Sequence, residues 1–304
     1  MTTRLAAVDA LRGAALVAMI VYHAAWDLSF LGLIETDVAA HAGWAAFARV
    51  VAASFLLLVG VSLVLAERAG TTPRRALRRI GVIAAAAAVV SAATYAFLPG
   101  QGVYFGILHC IALSSLIGLA LRRVPGRLLA AAAPAVLAAP WLLASPAFDA
   151  PWWYWLGLST EVPPAPDYVP LLPWFAAVLA GMAIGRALPA TAAPRAARPL
   201  PVRALAAMGR RSLAIYLLHQ PVLLGLLSGW LWLMPPDDTA LLRAECEAAG
   251  WDEPVCDAFI RCMVRRLGAG DSPLLGPQAR PPEAEDGPRW DAAAAACRIE
   301  ALGR

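Results

Sequence analysis

Seven apolar runs, each close to the length of a bilayer core, constrain what this 304-residue chain can fold into. A helix needs roughly 20 apolar residues to cross the hydrocarbon core. Hydrophobic residues make up 60% of the chain and charged residues only 15%, which excludes a soluble domain with one apolar helix. We therefore predict an all-α, polytopic transmembrane helix bundle. Its predicted spans are about 10–33, 44–66, 80–98, 103–121, 128–145, 169–188 and 211–234.

The distribution of arginine predicts the orientation of these spans. Arginines cluster in three connecting segments and are absent from the three that alternate with them. The rich segments are 67–79, 122–127 and 186–211, and the poor ones are 34–43, 99–102 and 146–168. Because cytoplasmic loops are enriched in Lys and Arg, we expect the N-terminus in the cytoplasm and the C-terminus outside. The net charge of +4 then reflects membrane topology, and we predict no nucleic-acid partner.

Four of the five cysteines lie in the polar segment after the last span. We divide the chain into a transmembrane domain, 1–234, and a cysteine-containing tail, 235–304. Four cysteines in a tail predicted to be outside indicate two disulfides in an oxidising compartment, and three pairings are open. A zinc site is the weaker alternative, because the tail has no C-x-x-C pair and no histidine; we predict no metal. The cysteines are Cys246, Cys256, Cys262 and Cys297.

Ionisable side chains inside the apolar runs mark the candidate site. Such groups are costly at membrane depth, so a functional role is the first hypothesis. His23 and Asp27 are four residues apart in the first span and share a helix face. A carboxylate so placed can orient an imidazole and stabilise its protonated form.

Two further histidines fall within predicted spans. His109 lies in the fourth span and His219 in the seventh. At about 1.5 Å per residue, both reach depths that overlap with His23, so the three could line one polar cavity. The alternative is that each histidine only hydrogen-bonds a neighbouring helix.

Several segments resemble one known family. They are Arg4, Asp9, Arg12-Gly13 and His23; His41-Ala42-Gly43-Trp44; FLLLVGVS (55–62); GILHCIALS (106–114); and GRRSLAIYLLHQP (209–221). Together they resemble the catalytic domain of the heparan-alpha-glucosaminide N-acetyltransferase family and, more widely, the transmembrane acyltransferase superfamily. The resemblance covers about 1–234 and leaves out the tail.

The resemblance implies transfer of an acetyl group across a membrane. Acetyl-CoA, or another acyl-CoA, would be used from the cytoplasmic side, and an extracytoplasmic sugar or glycan amine or hydroxyl would be the acceptor. The family's catalytic loop histidine matches His41, beside Trp44, and the histidine of the more distant O-acyltransferases matches His23. The chain lacks the large luminal domain and several spans of the lysosomal enzyme. Bacterial members imply an inner-membrane location with the tail in the periplasm.

The chemistry of acyl transfer fits these residue types. A histidine can take the acceptor's proton or carry the acetyl group itself, and Asp27 would orient it. Arginine matches phosphate geometry, so Arg12, Arg79 and Arg211, at inner ends of spans, are the CoA-binding candidates. His109, Trp44 and His219 are the candidates for lining the substrate site.

Two other function classes stay open at this point. One is a membrane redox protein that holds haem between histidines such as His23 and His219. The other is a transporter or partner-binding membrane protein without chemistry. Pairing with a second copy of the chain also stays open.

Overall fold

The structure, a computed structural model, is mainly helical in the residues it describes. These are 6–34, 36–97, 102–161, 165, 167–189, 199–233, 239, 242–243, 246, 248–267 and 287–303. Arg4, the turn 99–101 and most of the Pro/Gly-rich tail stretch lie outside them. No β-strand occurs among the described residues, which confirms the predicted all-α class.

The described residues between 6 and 233 form eight α-helices. They are α1 (Ala6–Phe30), α2 (Ala42–Arg68), α3 (Pro73–Phe97), α4 (Ile107–Ala120), α5 (Gly126–Leu143), α6 (Leu171–Ala187), α7 (Leu200–Arg210) and α8 (Ser212–Leu233). Every predicted span therefore contains a helix. Five of them, α1, α2, α3, α5 and α8, are long and apolar enough to cross a membrane. The other two helices that lie in predicted spans, α4 and α6, are shorter and have 14 and 17 residues.

Helix α7 lies in the segment 186–211, for which the sequence predicts only an arginine-rich connection. It begins after Pro199, whose fixed φ suits a helix start. Val202, Leu205, Ala206 and Gly209 are turned inward, and this spacing of three and four residues forms one helix face. The segment is therefore an amphipathic helix followed directly by α8.

The chain divides into two compact units, one formed by 1–22 with 42–220 and the other by 23–41 with 221–304. In the first, side chains from α1, α2 and α6 form the largest buried cluster, which includes Leu16, Leu56 and Val178. Helices α2 and α6 touch backbone to backbone. A Cβ on Gly60 would lie 2.1 Å from the Val178 carbonyl oxygen, and one on Gly181 would lie 2.0 Å from the Leu57 carbonyl oxygen. Small residues permit this approach between membrane helices.

The tryptophan-rich segment between α5 and α6 is not a span, as predicted. It forms two short 3-10 helices, Pro146–Phe148 and Pro151–Leu156. Trp152 is 67% exposed, as expected of an aromatic side chain at a membrane interface.

The second unit contains the tail, with helices α9 (Glu253–Leu267) and α10 (Gly287–Leu302). Phe259, Met263 and Trp290 form the centre of its small core. Two disulfides close it, which confirms the predicted disulfides. Cys246 pairs with Cys256 and Cys262 with Cys297, at Cα–Cα distances of 5.6 and 5.5 Å, so the structure selects one of the three pairings. Cys110, on α4, is a buried free thiol.

Candidate active site

The D-x-x-R-G segment of α1 contains a nearly buried ion pair. The Arg12 guanidinium donates to Asp9 Oδ1 at 3.3 Å and to the Ser62 hydroxyl on α2 at 2.6 Å. The Arg12 and Asp9 side chains are only 12% and 5% exposed. The contact therefore joins the first-span motif to the FLLLVGVS segment.

The glycines of two family segments form a close helix crossing. A Cβ on Gly209 would lie 1.8 Å from the Asp9 carbonyl oxygen, and one on Gly13 would lie 2.0 Å from the Leu205 carbonyl oxygen. Both neighbours are backbone atoms, which cannot rotate away. Glycine at these positions lets α7 lie directly on α1 beside the Asp9–Arg12 pair.

His109 is bonded on both ring nitrogens within the first unit. The Gly106 amide donates to its Nδ1 at 3.2 Å, and Ser91 Oγ lies 3.4 Å from its Nε2. An amide can only donate, so in this arrangement the ring proton resides on Nε2. The Ser91 hydroxyl donates to the Val103 carbonyl at 2.6 Å. His109 thus links the start of α4 to α3.

Asp167, in the loop before α6, lies against the N-terminus of α4. Its carboxylate accepts the Ile107 amide, at 3.2 Å to Oδ1 and 3.1 Å to Oδ2, and lies 3.5 Å from the Tyr216 hydroxyl. Burial raises the pKa of Asp167 to about 6, although these two hydrogen bonds oppose the rise. A carboxyl group with such a pKa changes charge near neutrality.

Tyr216 and His219 continue this cluster on α8. The His219 Nδ1 lies 2.5 Å from the Tyr216 carbonyl oxygen, and their ring centroids are 5.6 Å apart. A carbonyl only accepts, so Nδ1 bears the proton. His219 and His109 are thereby both connected to the surroundings of Asp167 within one unit.

An open groove of about 470 Å³ adjoins the start of α4. Tyr104, Phe105, Leu113 and Trp155 line it. The Phe105 ring also lies 5.4 Å from the His109 ring, centroid to centroid. Aromatic walls with a few polar groups nearby are typical of small-molecule sites.

His23 and Asp27 belong to the second unit. They lie one turn apart on α1, as predicted from their spacing. Asp27 is fully buried and His23 is half-buried. A buried carboxylate one turn from an imidazole suits the orienting role predicted for it, and that role stays a prediction.

His41 lies immediately before α2, at the end of a tight turn. The Asp37 carboxylate accepts the amides of Ala39 and Ala40 at 2.9 and 3.0 Å, and the Asp37 carbonyl accepts the His41 amide at 3.0 Å. The His41 side chain is exposed. Trp44, three residues later, is half-buried, with its ring centroid 6.3 Å from that of Tyr22 and 5.9 Å from that of Phe47.

The three candidate CoA-binding arginines differ in their surroundings. Arg79, on α3, and Arg211, between α7 and α8, are exposed. Arg12 is almost buried and has both terminal nitrogens engaged. Among the described residues, no group of three or more His, Cys, Asp or Glu is arranged to hold a metal ion.

Asp167 belongs to the polar cluster at the start of α4, and the sequence did not single it out. In the sequence it is one of several charges in a loop, whereas its partners Ile107 and Tyr216 are 60 and 49 residues away. The signal that could have found it is its position directly before an apolar helix, where a carboxylate must find donors.

Comparison with known families assigns the chain. No curated protein and no solved structure matches it. The family model for heparan-alpha-glucosaminide N-acetyltransferase, catalytic, matches residues 4–221, more than half of the chain. The match includes the α1 motif, the start of α4 and the Gly209–Pro221 segment, and it ends before the tail. The chain therefore belongs to the heparan-alpha-glucosaminide N-acetyltransferase catalytic-domain family.

Proposed function

We propose that this membrane acetyltransferase moves an acetyl group from cytoplasmic acetyl-CoA to a sugar amine or hydroxyl on the opposite side. The observation that carries the proposal is that the family segments meet through polar contacts inside an apolar bundle. Arg12 binds Ser62, and Asp167 joins Ile107 to Tyr216. Buried polar groups are retained in membrane helices chiefly where they serve a function.

The donor is acetyl-CoA, used as a co-substrate. Its phosphates require cations at the cytoplasmic mouth, and Arg79 and Arg211 are exposed with the fork geometry that phosphate favours. Arg12 takes part by a different route, because its bonds to Asp9 and Ser62 join α1 to α2.

The transfer step needs a group that accepts a proton. The acceptor nitrogen or oxygen attacks the thioester carbonyl carbon, the carbon–sulfur bond breaks, and CoA leaves as a thiolate that takes up a proton. His41 or His23 removes the acceptor's proton, or first carries the acetyl group on its imidazole. Asp27, one turn from His23 and buried, stabilises the imidazolium.

The acceptor lies against the aromatic groove. Tyr104, Phe105 and Trp155 offer rings, whose apolar faces and polar edges suit a ligand with both kinds of surface. His109 lies behind Phe105, and Trp44 and His219 complete the polar and aromatic lining that we propose for the acceptor.

The test uses purified protein in proteoliposomes with acetyl-labelled acetyl-CoA outside and glucosamine inside. We expect label on glucosamine with wild-type protein, and loss of transfer in His41→Ala or His23→Ala with membrane insertion unchanged. Ser54→Ala is the control, because Ser54 is a half-buried residue of α2 whose hydroxyl donates to the Val50 carbonyl of the same helix. Full activity in both histidine variants refutes the site assignment.

Two further measurements address the other predicted properties. An absorbance spectrum with a haem Soret band would favour the redox alternative over acetyl transfer. Labelling of a tail cysteine after reduction, in intact bacterial cells, tests the proposed inner-membrane location with the tail in the periplasm.

A further inference from the structure

We propose that Asp167 is a positioning residue of the acceptor side of the site, where its carboxylate holds the start of α4, with Phe105 and His109, against Tyr216 of α8. This inference rests on the proposed function, because it assigns Asp167 to the reaction that function describes. Asp167 lies outside the segments that resemble the family.

The loop before α6 is attached to the start of α4 at two points. The Ile107 amide donates to the Asp167 carboxylate, and the Val169 amide donates to the Phe105 carbonyl at 3.0 Å. The loop thus follows residues 105–107 closely. Phe105 is therefore held through its own carbonyl by Val169, while Ile107, two residues later, is held by Asp167.

The Asp167 carboxylate occupies the space beside Gly106. A Cβ on Gly106 would lie 2.2 Å from Asp167 Oδ2, so only glycine leaves room for the carboxylate here. The Gly106 amide is also the donor to His109 Nδ1. A shift of Asp167 therefore reaches the histidine through a single residue.

The described groups around Asp167 do not balance the charge of its carboxylate. Titratable groups on α8 and α4 face the Asp167 carboxylate. The Tyr216 hydroxyl on α8 is in contact with it, and the Cys110 thiol on α4 interacts with the carboxylate charge. His109 lies in the first turn of α4. None of these is a cation paired with Asp167 in a salt bridge among the described residues. Asp167 is half-buried, and partial burial among neutral groups opposes the charge of its carboxylate, which argues against a purely stabilising role.

Two readouts separate positioning from a merely structural role. Asp167→Asn keeps an oxygen that can accept from the Ile107 amide but removes the charge. We expect an apparent melting temperature at pH 7.5 equal to or above that of wild type, together with about a tenfold rise in KM for glucosamine and a smaller change in kcat. A charged hydrogen bond is worth enough for such a change.

The second readout does not depend on activity. In Asp167→Ala the Ile107 amide loses its acceptor, so we expect faster hydrogen exchange in a peptide covering 105–109. Asp149→Ala and Asp149→Asn are matched controls, because Asp149 is a half-buried carboxylate of the same loop. It accepts hydrogen bonds from Ser159 and Thr160 and, among the described residues, none from α4. They should change neither the exchange nor the KM.

The outcomes are distinct. Unchanged exchange in Asp167→Ala, or loss of melting temperature and activity in parallel in Asp167→Asn, overturns the inference. If wild-type protein transfers no acetyl group at all, the proposed function fails and the assignment of Asp167 to acetyl transfer is overturned with it. The exchange arm then still shows whether the carboxylate holds the start of α4.

Discussion

Replacing Gly209 by alanine should separate α7 from α1. The added Cβ would lie 1.8 Å from the Asp9 carbonyl oxygen, and ordinary contact begins at 3.4 Å, so the helices must part by the difference, 1.6 Å. The obstructing atoms belong to the backbone of α1, and α1 carries the Asp9–Arg12 pair at this point. No side-chain rotation can relieve the overlap.

The magnitude follows from two opposing terms. Overpacking costs about 3 kcal/mol where backbone must move, and the better helix propensity of alanine returns about 1 kcal/mol. The net loss is about 2 kcal/mol. Gly81→Ala on α3 is the matched control, because nothing lies within 4 Å of its Cβ; it should gain about 1 kcal/mol.

The assay is thermal unfolding of both variants in the same detergent, followed by tryptophan fluorescence. A difference of about 3 kcal/mol corresponds to roughly 6–12 °C for a domain of this size, with Gly209→Ala the lower. If Gly209→Ala melts together with Gly81→Ala or above it, the close crossing of α1 and α7 is wrong.

Three further predictions concern charge and covalent links. Burial raises the folded pKa of Asp167 from 3.8 to about 6, so the folded state holds this proton more tightly than the unfolded chain. Asp167 therefore contributes to the free energy of unfolding below about pH 4, and this contribution, at most about 3 kcal/mol, is lost as the pH rises to about 6. In Asp167→Asn this component of the stability–pH profile should vanish. Its persistence in the variant would contradict the assignment. Arg12→Met should lower the free energy of unfolding by about 3–5 kcal/mol, because the Asp9 carboxylate loses its guanidinium; an Arg12→Met/Asp9→Leu double variant should recover most of it in thermal unfolding, and no recovery would contradict the pairing. The Cys262–Cys297 disulfide closes a separation of 35 residues, so its reduction should lower the stability of the tail by about 4 kcal/mol through chain entropy. We expect rapid proteolysis of the reduced tail while residues 42–220 stay protected. Equal resistance of the tail with and without reductant would refute this.

The helical class was predictable because its cause is local. The long apolar runs contain helices α1 to α6 and α8 near the predicted positions, since a chain in lipid must satisfy its backbone hydrogen bonds within each segment. The tail disulfides were predictable as a class from four cysteines without histidine. Their pairing was not, because it depends on which helices meet.

The candidate site was only partly predictable. The spacing of His23 and Asp27 defines a shared face in any helix, and the motif glycines Gly13 and Gly209 could be recognised as segments. That these two glycines lie at one helix crossing depends on the packing of elements almost 200 residues apart in sequence. Sequence periodicity contains no information on such contacts.

The sequence by itself therefore determined that the chain forms apolar helices, that ionisable residues lie within them, and that the tail is joined by disulfides. Only the tertiary structure decided that Arg12 donates hydrogen bonds to Asp9 and Ser62. It alone also decided that Asp167 contacts the start of α4 and Tyr216. The physical reason is how far apart in the sequence the interacting residues lie. Helix formation and burial of apolar side chains follow from neighbours along the chain, whereas a buried charge finds its partners only when distant helices pack.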